Sequence, residues 1–200
     1  MFITFEGIDG SGKSTQIQLL KEYFHHKGLS CYVFREPGGT VISEEIRKIL
    51  LEGGDEMNPV TELLLFSSAR SQLISQEVLP LIRKGEIVML DRFYDSTVAY
   101  QGYGRQSVSL QDIHQLNTIA SHHTVPDVTF YLKLPPNVAA DRTETQEKDR
   151  MERAGESFFK RVAEGFDNLS KQEERFKTID AHKPVEQIHQ QIVNLIESML

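Results

Sequence analysis

A short loop near the amino terminus limits the folds open to this chain. Gly7-Ile8-Asp9-Gly10-Ser11-Gly12-Lys13-Ser14 fits G-x-x-x-x-G-K-[ST] at every fixed position. The β-prone run Phe2-Ile3-Thr4-Phe5-Glu6 precedes it, and Ile17, Leu19, Leu20, Tyr23 and Phe24 follow at helical spacing after Thr15. A strand, a glycine-rich turn and a helix in that order are what a phosphate-binding P-loop requires. Its glycines let backbone N–H groups approach an anion closely, and the positive end of the next helix faces the same way. Residues 7 to 15 (Gly7, Ile8, Asp9, Gly10, Ser11, Gly12, Lys13, Ser14 and Thr15) are therefore the expected nucleotide-binding set. Lys13 is expected to reach the β- and γ-phosphates and Ser14 to meet Mg²⁺, with ATP as the nucleotide.

The rest of the chain alternates strands and helices. Strands are predicted at Cys31–Phe34, Glu86–Leu90, Val128–Leu132 and Phe176–Asp180. A helix carrying Ile42, Ile46, Ile49 and Leu50 is predicted to end near Gly53-Gly54, and Asn58-Pro59 opens a long one that Pro80 disturbs. Alternation of this kind implies an α/β fold, a parallel sheet with helices on both faces. Ligands on such sheets sit beyond the carboxyl ends of the strands. The P-loop, Arg35–Thr40, Asp91-Arg92 and the segment from Pro135 all follow strands, so they are expected to meet at one cleft.

Composition bounds the function. At 200 residues, 39% hydrophobic and 26% charged, the chain reads as one globular domain. A net charge of −7 argues against a nucleic-acid coat or an anionic membrane surface. The single cysteine allows no internal disulfide, and a cytoplasmic location is expected.

The acceptor has to be found outside the P-loop. Asp91 ends an apolar strand, as a Mg²⁺-organising aspartate does. Arg92 beside it suggests a second anion held in a bidentate fork, although a structural Asp–Arg pair fits these two residues equally. Phe66 and Arg70 share a helix face and could stack on and hydrogen-bond a base, or the phenylalanine could be core. Gln101 could read a base edge.

Phe5 to Thr15, Arg35-Glu36-Pro37-Gly38-Gly39-Thr40, Leu65 to Arg70, and Asp91-Arg92-Phe93 through Ala99-Tyr100-Gln101-Gly102 together resemble the thymidylate kinase family across essentially the whole chain. The resemblance implies a five-stranded parallel P-loop NTPase fold with a lid at about 137–154, transfer of phosphate from ATP to dTMP, and a homodimer. It implies substrate contacts from Glu36, Pro37, Phe66, Arg70, Arg92, Ser96, Thr97, Tyr100 and Gln101. Arg92, with Arg47 as helper, would hold the dTMP phosphate, and Tyr100 would crowd the position of a ribose 2′-hydroxyl. Asp9, Lys13 and Arg92 would be catalytic. No arginine stands among the variable P-loop residues, so a lid arginine is expected to supply the missing cation, chiefly Arg150 or Arg153, with Arg142 also available. By charge pattern alone the lid arginines read as a solvated helix.

Two other readings remain at this level. One is a P-loop kinase for a different acceptor, either another nucleoside monophosphate or a deoxynucleoside. The other is a nucleotide switch, although none of the five asparagines precedes a lysine as guanine recognition would require.

Overall fold

The structure, a computed structural model, describes residues 1–52, 56–145 and 149–200. In chain order its elements are β1 (Phe2–Glu6), α1 (Lys13–His26), β2 (Cys31–Arg35), α2 (Val41–Glu52) and α3 (Pro59–Leu73). They continue with α4 (Leu79–Arg83), β3 (Ile87–Asp91), α5 (Tyr94–Thr97), α6 (Leu110–Ala120), β4 (Val128–Lys133) and α7 (Pro136–Arg142). The last are α8 (Glu156–Gln172), β5 (Phe176–Asp180) and α9 (Val185–Glu197). The expected end of α2 at Gly53-Gly54 lies outside the described residues.

Five parallel strands form one sheet in the order β2-β3-β1-β4-β5. Alternation along the strands divides the core. In β3, Val88 and Leu90 pack with Phe2, Leu73, Ile74 and Val78, whereas Ile87 and Met89 join the larger cluster with Ile3, Phe5 and Phe130. Such all-round burial is why the strands read as continuous apolar runs. The polar exceptions at the sheet centre satisfy each other, since Thr4 and Thr129 share a 2.7 Å hydrogen bond between hydroxyls.

The helix opened by Asn58 begins as expected: its side chain accepts from the Val60 N–H, and Pro59 sits in the first turn. Further along, the helix does not break at Pro80. It passes through a π-helical turn, Ile74–Val78, before Pro80 falls in the first turn of α4. Proline lacks an N–H, and the first turn of a helix is where that loss matters least. A second π-helical segment, Val98–Gly104, follows α5 and carries Tyr100 and Gln101. It packs against α8, where Gly165 leaves so little room that a Cβ would meet the Tyr103 ring at 2.9 Å. Local widening of a helix therefore aims both residues into the cleft beside β3.

Candidate active site

The central strand β1 delivers its carboxyl end directly into the P-loop. Gly7 has φ +138° and its added Cβ would lie 2.7 Å from the Leu132 carbonyl. Gly10 has φ +79° and would meet the Ala139 carbonyl at 2.8 Å. Only glycine fits both the dihedrals and the space. Helix α1 begins without a side-chain cap and without an acidic residue in its first turn, so its N–H groups and dipole remain for an anion. Lys13 is buried over the loop, its Nζ donating to the carbonyls of Gly7 (3.1 Å) and Ile8 (3.2 Å). Burial, and then the Arg92 charge, lower its pKa. Ile8 and Ser11 are buried in the loop, while Ser14 and Thr15 are exposed.

Arg92 reaches back from the end of β3 to the same loop. Its backbone is left-handed, with φ +73°. Its guanidinium donates to the Gly7 carbonyl (2.9 Å), to Ser96 Oγ (3.2 Å) and to Asp9 Oδ1 (2.6 Å), and lies 5.1 Å from the centre of the Tyr100 ring. Burial raises the pKa of Asp9, but Arg92 and then Lys13 outweigh it and hold the carboxyl at about 2. Beside Arg92, the Ser14 hydroxyl donates to Asp91 Oδ2 at 3.0 Å. An exposed hydroxyl and a carboxylate are both hard oxygen donors of the kind Mg²⁺ takes, and few protein ligands suffice when phosphates and waters supply the rest. Ser14 and Asp91 thus fit the expected metal position. Among the described residues no group of three or more His, Cys, Asp or Glu side chains could hold a metal by itself.

Arg92 also lines a cleft that runs away from the loop along β3. Asp9, Glu36, Pro37, Arg47, Phe66, Arg70, Ser96, Thr97, Tyr100 and Gln101 line the same cleft, so every acceptor-side residue expected from the sequence is gathered there. Arg47 donates to the Pro37 carbonyl at 2.8 Å. At the far end Arg70 is almost fully buried, its Nε on Glu36 Oε2 (2.7 Å) and its Nη1 on Asn117 Oδ1 (3.2 Å). Burial raises the Glu36 pKa against the opposing effect of Arg70. The Tyr100 hydroxyl and Glu36 Oε1 are buried without hydrogen-bond partners. Buried polar atoms are normally paired, so both are atoms that a ligand in the cleft could satisfy.

A second cleft lies on the other side of the P-loop, between Ile8, Asp9 and the residues of α7 and early α8, including Asn137, Asp141, Gly155 and Phe159. The two clefts meet at Asp9. Arg142, at the end of α7, donates to the carbonyls of Gly10 (3.3 Å) and Ala181 (3.1 Å). The other lid arginines are placed differently. Arg150 is buried against α2 and α3, with Nη1 2.6 Å from Glu62 Oε2 and Nε donating to the Leu50 carbonyl at 2.8 Å. It does not face the P-loop, because a buried carboxylate holds it elsewhere. Arg153 lines a separate cleft with Arg105, Arg150, Met57 and Pro59. The expected lid, 137–154, includes Gln146 to Lys148, which lie outside the described residues.

Several residues at the site escaped the sequence reading. Glu6 is fully buried at the end of β1, and its carboxyl oxygens accept from the Phe93 N–H (2.8 Å) and Ser96 Oγ (2.6 Å). It fixes the turn from which Arg92 projects. Burial, then the charge of Asp95, push its pKa up to about 8. Glu62 is buried beneath Gln101 and accepts from its amide. Its spacing was an available signal: Glu62, Phe66 and Arg70 are four apart, hence on one helix face. Nothing local marks Asn117, which comes from α6.

The P-loop with Lys13 over it and the cleft lined by Arg92 adjoin at Asp9, and two neighbouring cationic sites suit direct transfer between two phosphorylated ligands. With the parallel sheet and its P-loop, they place the chain among the P-loop kinases. The comparisons with known proteins narrow that class. The chain belongs to the thymidylate kinase family, whose family model it matches over residues 5–192. It is 47% identical to the thymidylate kinase of Prosthecochloris aestuarii (strain DSM 271 / SK 413) across 209 aligned positions, which cover 99% of this chain and 93% of that one. It is 43% identical to the thymidylate kinase of Thermoanaerobacter sp. (strain X514), covering 100% and 98% of the two chains. The crystal structure of thymidylate kinase from Ehrlichia chaffeensis superposes with a TM-score of 0.80 at 34% identity, covering 98% of each chain.

Proposed function

We propose that this chain transfers the γ-phosphoryl group of ATP to dTMP, giving dTDP and ADP and feeding dTTP synthesis. The observation that carries the reading is the meeting of the P-loop with an arginine-lined cleft at Asp9, in a chain of the thymidylate kinase family. A monophosphate acceptor attacks through an oxygen that is already ionised, so the site needs alignment and positive charge more than a general base. Lys13 neutralises charge on the ATP phosphates, and Arg92 holds the dTMP phosphate in a bidentate fork. Ser14 and Asp91 would hold Mg²⁺, which when bound would neutralise charge on the phosphates. Asp9 orients Arg92 through their 2.6 Å hydrogen bond and presents a carboxylate to the sugar. Phe66 stacks on thymine, Arg70 and Gln101 meet its polar edge, and Tyr100 closes the space a ribose 2′-hydroxyl would need. Glu36 fixes Arg70, while Pro37, Ser96 and Thr97 shape the walls.

The lid cations of this reading are Arg150 and Arg153. For Arg150 the role requires the guanidinium to leave Glu62 when the lid closes over ATP. A homodimer is supported by exposed apolar side chains on helices that pack side by side: Ile42 and Ile49 on α2, Val60 and Leu64 on α3, and Ile119 on α6. Faces of that kind are commonly covered by a partner. A cytoplasmic location agrees with the reaction, and among the described residues no helix is long and apolar enough to cross a membrane.

The test is an ADP-release assay with ATP, Mg²⁺ and a panel of dTMP, dUMP, dCMP, AMP and thymidine. The reading expects dTMP to give the highest kcat/KM. Equal rates across the panel would leave a P-loop kinase and remove the thymidylate assignment.

A further inference from the structure

We propose that Glu62 is a positioning residue that sets the hydrogen-bonding sense of the base-reading end of the cleft, by holding the Gln101 amide with its oxygen toward the base. The proposal rests on the dTMP reading above and adds a residue that never touches the substrate. Glu62 is buried, with Oε1 accepting from Gln101 Nε2 at 2.8 Å and from Arg105 Nε at 3.3 Å. Its other oxygen lies 2.6 Å from Arg150 Nη1. A carboxylate held by the Arg105 guanidinium, with or without Arg150, has only acceptors to offer, so the amide can meet it only nitrogen-first. With Nε2 turned to Glu62 through one of its N–H groups, Oε1 is the acceptor that the Gln101 side chain has for the cleft it lines.

Arg70 supplies the other half of the reading pair. A guanidinium only donates, and Glu36 and Asn117 fix its direction at 2.7 and 3.2 Å. The cleft therefore offers one donor and one acceptor. Thymine presents its O4 acceptor beside its N3–H donor, which matches both. Cytosine presents an N4 amino donor beside an N3 acceptor, which mismatches both. Were the Gln101 amide reversed, two donors would face the base and thymine N3–H would have no acceptor. Buried polar atoms without partners are what make such a site reject the wrong ligand. Glu62, Phe66 and Arg70, spaced four apart on α3, thus place the acceptor's anchor, the stacking ring and the donor on one helix face.

The decisive experiment compares kcat/KM for dTMP and dCMP in wild type, Glu62→Gln, and the double variant Glu62→Gln with Gln101→Glu. A glutamine at 62 can donate as well as accept, which frees Gln101 to turn. The dTMP-over-dCMP ratio is expected to fall by at least about tenfold. The double variant returns an acceptor at 101 and is expected to recover most of the ratio. Losing the Arg105 and Arg150 partners lowers stability or turnover for both substrates alike and cancels in the ratio, which also holds where only part of the preparation folds. An unchanged ratio in Glu62→Gln, or no recovery in the double variant, would overturn the proposal. A wild type that does not prefer dTMP would overturn the substrate reading and this proposal with it. Independently, the Gln101 side-chain NH₂ of wild type is expected to stay protected from hydrogen exchange with and without dTMP. Free exchange in the unliganded protein would contradict the Glu62 anchor.

Discussion

Replacing Arg92 by alanine and, separately, by glycine distinguishes what its side chain does from what its backbone costs. Arg92 sits at φ +73°, where an L-residue is strained by roughly 1–2 kcal/mol and glycine is not. Both variants lose the same guanidinium and its contacts to Asp9, Gly7 and Ser96. They therefore share the functional defect and differ only in the backbone. If Arg92 holds the acceptor phosphate through two charge-assisted hydrogen bonds, each is worth about 1.5–3 kcal/mol, and water recovers part of that. A net loss of about 2–4 kcal/mol corresponds to a rise in KM for dTMP of about thirtyfold to several hundredfold. The glycine variant regains the strain but has a more flexible unfolded chain, which leaves it about 1 kcal/mol more stable than the alanine variant. For a chain of this size that is about 2–4 °C in Tm. The assays are ADP release against dTMP concentration and thermal unfolding of the three proteins side by side. A normal KM in either variant would refute the phosphate-holding role. A glycine variant less stable than the alanine one would refute the strain assigned to the backbone at Arg92.

Gly10→Ala is expected to weaken ATP binding and leave dTMP binding nearly unchanged, because the new Cβ would press on the Ala139 carbonyl at 2.8 Å beside the P-loop. Calorimetry with each ligand checks this, and equal losses for both would contradict it. Glu6 predicts a pH effect of definite sign. Its pKa of 4.5 in the unfolded chain rises to about 8 in the folded state, mainly through burial. Its contribution is therefore fully present below pH 4.5 and is lost as pH rises through about 8, where the buried group must ionise. Glu6→Gln keeps a neutral side chain, so its Tm should fall less than that of wild type as pH rises from about 6 to 9. Parallel declines would contradict the buried neutral carboxyl.

How much of this was legible in the sequence depended on how local each feature is. The P-loop was readable because strand, glycines, lysine and helix are contiguous, and all the expected strands formed. Phe66 and Arg70 could be placed on one face by their spacing, but the residues that aim Arg70 lie far away in sequence, at Glu36 and Asn117. The direction of Gln101 was likewise invisible, since it depends on Glu62 and on a π-helical segment that no local pattern announces. Arg150 shows the opposite case. The absence of an arginine from the P-loop marked it for the phosphates, whereas the structure places it on the buried Glu62 carboxylate, a partner distant in sequence that no charge pattern announces. Glu6 stood in the sequence only as the last residue of a β-prone run, and packing reveals it as the buried support of Arg92.

The most direct measurement follows the phosphorus itself. Phosphorus NMR of wild-type protein with ATP, Mg²⁺ and dTMP is predicted to show the ATP γ-phosphorus reappearing as the β-phosphorus of dTDP, with one ADP formed per dTDP. Release of that phosphorus as inorganic phosphate, with dTMP unchanged, would contradict the account.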